Sequence, residues 1–216
     1  MENDIRLEDV GWKVLRQRQV NLEKLLMQAI RAAAAEFGAV RLIDLAVGTG
    51  RLVLSTLRSM PEQDITAVLQ DTDPTHLDQG RQLANQLGVT RVRFQLGDAF
   101  DERELGRMAP PPNVVLAAGL YELTPDDTKV LASLRGAAAG MAPGGWLIYT
   151  DQPHHDHLEM IGRVAVPREE SPWAMHRRLV GEMDALIETA GLSRLERETD
   201  EYGLFCVGLA RRATTS

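Results

Sequence analysis

The sequence predicts an α/β fold with a mostly parallel β-sheet that carries helices on both faces. Apolar segments of strand length alternate along the chain with segments of helical periodicity, which is typical of parallel strands joined by crossover helices. Three of the strand candidates end in an aspartate, and a turn with two glycines follows the first of them. Ligands bind such sheets beyond the carboxyl ends of the strands.

The elements follow in a regular order. Residues 10–37 are apolar at helical spacing and end at a glycine, which predicts one or two helices before the first strand. We therefore expect an N-terminal helical extension or lid over residues 1–38 and the main domain over residues 39–216. Strand candidates then alternate with helix candidates. The strands are expected at residues 40–44, 64–71, 91–96, 113–118 and 144–150, and the helices from residue 51, at 75–87 and at 126–139.

Length, charge and cysteine content limit the possible functions. A chain of 216 residues with 44% hydrophobic content fits one domain. A net charge of −7 with scattered lysine and arginine argues against a nucleic-acid partner. The short basic runs 16–18 and 176–178 could pair with an anionic substrate, but we interpret them as solvated helix faces. No apolar run approaches the ~18 residues of a membrane span. We expect a cytoplasmic protein with no membrane partner, whose lone Cys206 is a buried thiol.

The turn after the first strand is the strongest functional feature. Asp44 ends the strand, and Gly48 and Gly50 allow a tight turn that a nucleotide-like cofactor can approach closely. The turn differs from the dinucleotide-binding fingerprint, because Ala46 occupies the place of the first glycine and the third glycine is absent. Turns with two glycines also occur in α/β proteins that bind no ligand, so this motif alone leaves both interpretations open.

Three strand-end carboxylates favour the cofactor interpretation. Asp44, Asp71 and Asp98 would lie on the same edge of the sheet. Asp71 follows Gly50 by 21 residues, which suits a carboxylate that accepts hydrogen bonds from ribose hydroxyls. The alternative for each aspartate is a helix N-cap or a turn residue. Three such residues in register with a glycine turn fit a cofactor site better.

The turn resembles motif I of the class I S-adenosylmethionine-dependent methyltransferases, hydrophobic-Asp-x-Gly-x-Gly-x-Gly, with alanine in place of one glycine. The resemblance implies a Rossmann-like, seven-stranded sheet in which residues 193–199 and 204–210 form an antiparallel pair at the end of the chain. It implies S-adenosylmethionine as cofactor, with its methionine part against the turn and its adenine near Asp98 and the backbone N–H of Ala99. The cofactor-binding residues expected from it are Asp44, Ala46, Gly48, Gly50, Asp71, Thr72, Asp98, Ala99 and Gly119.

A closer resemblance covers nearly the whole chain. The segments 119–126, 143–145, 149–153 and 182–191 are similar to a little-characterised bacterial methyltransferase family, sometimes found fused to a hydrolase. Where that family has Asn-Gln-Pro-Trp-His, this chain has Asp-Gln-Pro-His-His at residues 151–155.

Four polar residues are candidates for the chemistry. Tyr121 could hydrogen-bond the amino-acid end of the cofactor or the acceptor, and Glu122 could take a proton. A capped loop is the alternative for both. Gln152 and His155 are expected on the substrate side. The cluster 154–157 contains legitimate metal ligands, but adjacent residues rarely converge on one ion, so we expect no metal site.

We therefore expect an enzyme that transfers the methyl group of S-adenosylmethionine to oxygen, nitrogen or carbon of a small molecule. Two alternatives stay open. The same pocket could let the amine of the cofactor attack its own side chain, giving a cyclic amino acid and methylthioadenosine, or the domain could be a non-catalytic nucleotide-binding module. The sequence also leaves the oligomeric state open, with a homodimer as one possibility.

Overall fold

A computed structural model describes residues 2–153 and 177–214, with side chains from Lys13 onward. Its seven strands form one sheet in the order β3-β2-β1-β4-β5-β7-β6. The strands are β1 (Val40–Asp44), β2 (Ile65–Asp71), β3 (Val92–Leu96), β4 (Val114–Ala117), β5 (Trp146–Asp151), β6 (Leu192–Thr199) and β7 (Cys206–Arg212).

Helices connect these strands. In the described residues they are α1 (Glu2–Phe37), α2 (Arg51–Ser59), α3 (Pro74–Leu87), α4 (Glu102–Leu105), α5 (Asp127–Gly140) and α6 (Val180–Thr189), with one 3₁₀ turn at Tyr121–Leu123. None of the helices in the described part of the chain has an apolar stretch long enough to cross a bilayer.

The pairing of the strands confirms the predicted fold class. Strands β1 to β5 pair in parallel, and β7 runs antiparallel to both β5 and β6. The sheet is therefore the mostly parallel, seven-stranded, Rossmann-like sheet with an antiparallel last strand that the resemblance implied.

Side chains alternate between two apolar layers. Along β1, Leu42 packs into the layer beneath α1, α2 and α3, while Ile43 packs into the layer that receives α4, α5 and α6. Successive residues of β4 alternate in the same way, with Leu116 on the first face and Val115 on the second. Because strand side chains point to opposite faces in turn, a strand buried on both faces reads as a continuous apolar run.

The N-terminal region forms one continuous helix of 36 residues, where one or two helices were predicted. Its second half is part of the main core, since Leu22, Leu25, Leu26, Ala29, Ile30 and Ala33 are buried against the sheet with α2 and α3. Over this half, α1 belongs to the domain and does not stand apart as an extension.

Two helices were missed by the sequence prediction. Helix α6 buries only Met183 and Ile187, a single i, i+4 pair among polar neighbours, which is too weak a period to indicate a helix. Helix α4 has one turn, and it begins where the Asp101 side chain accepts hydrogen bonds from the backbone N–H groups of Arg103 and Glu104.

The close contact between α5 and α4 predicts that adding one methyl group at Gly140 destabilises the protein. A Cβ at Gly140 would lie 1.9 Å from the carbonyl oxygen of Leu105, so one of the two helices must move to accept Gly140→Ala. We expect a loss of about 3 kcal/mol in the free energy of unfolding, measured by urea denaturation.

Gly181→Ala is the matched control, because a Cβ at this position in α6 meets nothing within 4 Å. Alanine in a helix should raise the free energy of unfolding by about 0.5–1 kcal/mol. Equal effects of the two substitutions would contradict the close helix contact.

Candidate functional site

The candidate site lies along the carboxyl edge of the sheet, formed by the ends of β3, β2, β1, β4 and β5 in that spatial order. The chain order reverses between β1 and β4, where ligands of open parallel sheets bind. Because the five strands are parallel, all the segments that follow them emerge on this edge. The carboxyl edge therefore brings the glycine turn together with the segments after β2, β3, β4 and β5.

The turn after β1 is tied to the end of β2. The backbone N–H of Gly48 donates to Oδ2 of Asp71 at 2.8 Å, and the N–H of Val47 donates to the carbonyl of Gln70 at 2.9 Å. Oδ1 of Asp71 accepts from the N–H of Asp73 at 2.9 Å. Asp71 is 13% exposed, so its oxygens can still accept hydrogen bonds from a ligand.

The two glycines of the turn have positive φ, at +53° for Gly48 and +72° for Gly50. A Cβ at Gly50 would also lie 3.0 Å from Leu69 and 3.3 Å from Val47, so a side chain there would crowd the junction between turn and sheet. Glycine at these positions keeps the backbone at the start of α2 open to a ligand.

Asp44 lies beneath the turn and is 5% exposed. Burial raises its pKa to about 7, and the negative charge of Asp71 adds to the rise. The N–H of Ala46, 3.4 Å from Oδ1, acts in the opposite direction. A cationic group beside Asp44 would lower this pKa and restore the charged carboxylate.

The segment after β3 holds the remaining residues expected near the adenine. Asp98 is exposed, and its Oδ1 accepts from the N–H of Phe100 at 2.8 Å, so it acts as a turn residue. The Ala99 side chain is buried at 4% exposure. Thr72, after β2, is exposed. The structure leaves the predicted cofactor roles of these three residues open.

The ends of β4 and β5 hold a buried polar network. Glu122 is 1% exposed, and its carboxylate accepts from Arg18 at 2.6 Å and from the Thr150 hydroxyl at 3.0 Å. Thr150 Oγ1 in turn accepts from the N–H of Gly119 at 2.7 Å. The Arg18 guanidinium lies 5.1 Å from the ring centre of Phe205. Helix α1 thus supplies a charge to the carboxyl edge.

Tyr121 requires a correction. It was predicted to hydrogen-bond the cofactor or the acceptor, but its side chain is fully buried in the layer beneath α5, and its hydroxyl pairs with Ser133 Oγ at 3.1 Å. Burial raises its pKa above the usual value. The side chain therefore points away from the carboxyl edge and packs as a core residue.

The end of β5 and the residue after it add two buried oxygens. Asp151 is 1% exposed and Gln152 is 8% exposed, and among the described residues neither Asp151 Oδ1 nor Gln152 Oε1 has a hydrogen-bond partner. Burial raises the pKa of Asp151 to about 6, against an opposing effect of Arg178. Unpaired buried acceptors are costly, so donors from a ligand or from water would stabilise these two oxygens. His155, the fourth residue predicted for the chemistry, lies outside the described residues.

Two arginines that sequence reasoning assigned to solvated faces are structural parts of the site. Arg18 pairs with Glu122, and Arg178, 1% exposed, donates to Asp127 Oδ1 at 2.7 Å and to the carbonyls of Tyr121 and Thr124. The prediction of solvated faces is wrong for both. Arginine needs partners to be buried, so the only signal in the sequence was the number of acidic residues near Glu122.

A family model described as "Putative methyltransferase" matches residues 2–212. The chain belongs to this family. Together with the topology of the sheet, this match supports the expected resemblance to the class I S-adenosylmethionine-dependent methyltransferases.

One curated relative and two solved structures show how far the similarity extends. The chain is 42% identical over 211 residues to "Uncharacterized protein YnbC" of Escherichia coli K12, in a match that covers 96% of this chain and 36% of that protein. The chain thus spans about a third of the relative's length. A possible exported protein from Bordetella parapertussis has a TM-score of 0.76 at 19% identity, over 93% of this chain and 69% of that one. Magnesium protoporphyrin IX methyltransferase from Synechocystis PCC 6803, solved with bound SAH, has a TM-score of 0.70 at 13% identity, over 94% and 87%. At these identities the two structures support the fold.

The raised pKa of Asp44 predicts a pH dependence of stability. Because its folded pKa of about 7 exceeds the value of about 3.9 in an unfolded chain, Asp44 stabilises the fold fully below about pH 4 and loses this contribution as pH rises to about 7. Asp44→Asn removes this titration. We expect the free energy of unfolding of the parent to fall relative to Asp44→Asn by up to about 4 kcal/mol between pH 4 and 8.

Urea denaturation at each pH measures the difference. Asp151 titrates with the same sign, but it is present in both proteins and cancels. Asp64→Asn, at an exposed position, is the control for the substitution itself and should follow the parent. Parallel curves for the parent and Asp44→Asn would refute the assignment.

The pair of Arg18 and Glu122 predicts a strong coupling energy. Arg18→Met leaves a buried carboxylate without its cation and should cost about 3 kcal/mol in the free energy of unfolding. Adding Glu122→Gln to Arg18→Met should recover part of this loss, because the unpaired charge disappears.

Arg31→Met, at an exposed position on the same helix, is the matched control and should change the free energy of unfolding by less than about 0.5 kcal/mol. Additive losses in the Arg18 and Glu122 variants would show that the two residues are energetically independent.

Proposed function

We propose that the enzyme transfers the methyl group of S-adenosylmethionine to a small-molecule acceptor that binds beside the ends of β4 and β5. The observation that carries this proposal is the pair of buried oxygens on Asp151 and Gln152 without partners among the described residues, on the same carboxyl edge as the turn that suits the cofactor. These two oxygens are recessed within the fold, so a ligand that reaches them must be small enough to enter the domain. The net charge of −7 argues against a nucleic-acid substrate.

The residues of the turn fit the cofactor. A Cβ at Gly50 would press against Leu69 and Val47, and Gly48 presents an open backbone. We assign the methionine part to this turn, with Asp44 and Ala46 beneath it, and the ribose to Asp71 with Thr72 beside it. The adenine is assigned to Asp98 and the N–H of Ala99, and Gly119 borders the methyl group. With these assignments, the cofactor extends along the carboxyl edge from its methyl group at the end of β4 to its adenine at the end of β3.

The residues at the ends of β4 and β5 have different roles toward the methyl acceptor. S-adenosylmethionine supplies an activated methyl group, so the protein needs chiefly to align the acceptor and to accept a proton where one is lost. Glu122 was predicted to take that proton, but its carboxylate is held by Arg18 and Thr150, which suits orientation of the site. Asp151, with a free oxygen and a pKa near 6, is a better proton acceptor at neutral pH. The side-chain oxygen of Gln152 can accept a hydrogen bond from the molecule that receives the methyl group.

We also propose that the enzyme works in the cytoplasm. The single cysteine, Cys206, is buried, and burial raises the pKa of its thiol to about 12, so it takes no part in a disulfide or in thiol chemistry.

Two variants test the proposed site with purified enzyme, methyl-labelled S-adenosylmethionine and the small-molecule filtrate of a bacterial extract. The parent should form S-adenosylhomocysteine and place the label in small molecules. Asp71→Ala should weaken cofactor binding about tenfold or more in calorimetry, since it removes a charged hydrogen-bond acceptor. Asp151→Asn should bind the cofactor like the parent and lower the turnover about a hundredfold.

Asp78→Ala, at an exposed position on α3, is the control and should match the parent in both assays. Methylthioadenosine formed without any acceptor would indicate cyclisation of the cofactor in place of methyl transfer. The protein and RNA retained from the same extract are assayed in parallel. Cofactor binding with no product from the filtrate or from this retained fraction would favour a binding module, and label found only in the retained protein or RNA would refute the small-molecule acceptor.

A further inference from the structure

A second concave site lies on the sheet away from the carboxyl edge. It is a groove of about 570 Å³ over the middle of β1, β2 and β3, on the face that carries α4. Its volume is in the range of small-molecule sites. None of the residues assigned to the cofactor or the acceptor lines it. We call it the arginine groove, after Arg41, Arg91, Arg93 and Arg107 in its lining.

The arginine groove exists because α4 is short. Val68 and Ile43 point to the same face of the sheet as the layer beneath α5, but α4 has only four residues to cover this part of the sheet. The chain then runs through residues 106–112 without forming a helix, and Met108 and Pro110 form a wall. The floor and wall are therefore partly apolar and open to solvent.

The charge of the groove is opposite to that of the protein. Its lining has four arginines and one acidic residue, Glu104, whereas the chain has a net charge of −7. Arg41 donates to the carbonyl of Pro111, and Arg91 donates to carbonyls at the end of α2, whose helix dipole offsets part of its charge. In the part of the chain that the structure describes, the side chains of Arg93 and Arg107 are exposed and have no hydrogen-bond or ion-pair partner.

A buried donor points to the same kind of ligand. Gln70 lines the groove and is 1% exposed; its Oε1 accepts from Gln95 at 3.0 Å, but its Nε2 has no partner among the described residues. An unpaired buried N–H group is costly and is satisfied by an acceptor from a ligand or water. The polar groups of the groove thus include the guanidinium groups of Arg93 and Arg107, the Gln70 amide N–H and one exposed carboxylate, on Glu104, beside the apolar side chains of Val68 and Met108.

We propose that the arginine groove is a second binding site, which takes a small organic anion. Arg93 and Arg107 hold its carboxylate or phosphate group, and Val68, Leu105 and Met108 contact its apolar body. Guanidinium groups bind both kinds of anion through paired N–H donors. This site is independent of the methyl-transfer proposal, because it shares no residue with the carboxyl edge sites.

The test uses two anionic probes, 1-naphthoate and 1-naphthyl phosphate, with the uncharged 1-naphthalenemethanol as the comparison, in titration calorimetry of the intact protein. We expect 1:1 binding of at least one anionic probe and binding at least about tenfold weaker for the alcohol. Arg93→Gln with Arg107→Gln should weaken the anion by about tenfold or more. Arg135→Gln, at an exposed position on α5, should bind like the parent.

A second variant fills the groove without removing a charge. Thr66 is exposed on the floor of the groove, so Thr66→Trp should block the probe while leaving the core intact. Each variant is also titrated with S-adenosylhomocysteine, and an unchanged affinity shows that the domain is folded and that the cofactor site is separate.

Four outcomes would overturn the proposal: neither anionic probe binds the parent, the alcohol binds equally well, the arginine variants bind like the parent, or S-adenosylhomocysteine displaces the probe. Failure of methyl transfer with intact probe binding would count against the proposed function alone.

Discussion

The hydrogen bond from the Gly48 N–H to the Asp71 carboxylate holds the candidate site together. It joins the turn after β1 to the end of β2, and the second oxygen of the same carboxylate fixes the N–H of Asp73, the N-cap of α3. One side chain therefore sets the relative position of two strand ends and two helix starts. The same carboxylate retains acceptor capacity for a ligand, so the structural and binding roles of Asp71 coincide.

The acceptor half of the carboxyl edge depends on buried charge more than on packing. Arg18 and Arg178 each approach this region from an element distant in sequence, and each ends on a carboxylate or on backbone carbonyls. Burying such groups costs solvation energy, which only well-directed hydrogen bonds offset. Stability and orientation are thus coupled here, whereas the cofactor half relies on glycine backbone and a single carboxylate.

The sequence was sufficient for the sheet and for the position of the glycine turn and Asp71 at its carboxyl edge, because both depend on local pattern. Alternating apolar segments located the strands, and Asp44, Asp71 and the two glycines follow them directly. The acceptor half was not accessible in this way. Arg18 and Glu122 are 104 residues apart, and only the packing of α1 on the sheet brings them together. The sequence also did not show which way the Tyr121 side chain points, because a short 3₁₀ turn has no apolar period that distinguishes residues facing the core from residues facing the edge.

The four arginines of the arginine groove come from β1, the start of β3 and the segment after α4, so their shared surface exists only in the folded chain. No run of basic residues marks it. A search of the sequence for basic stretches cannot detect a positive site assembled by a parallel sheet.

Helix α1 contributes both to the core and to the candidate site. Its second half is fixed by the core residues from Leu22 to Ala33, and its first half delivers Arg18 to Glu122. Since each residue of an α-helix advances the side-chain direction by about 100°, the angular phase between these halves must be kept. An insertion or deletion of one residue between Arg18 and Leu22 would turn the guanidinium away from the site while the core remained intact.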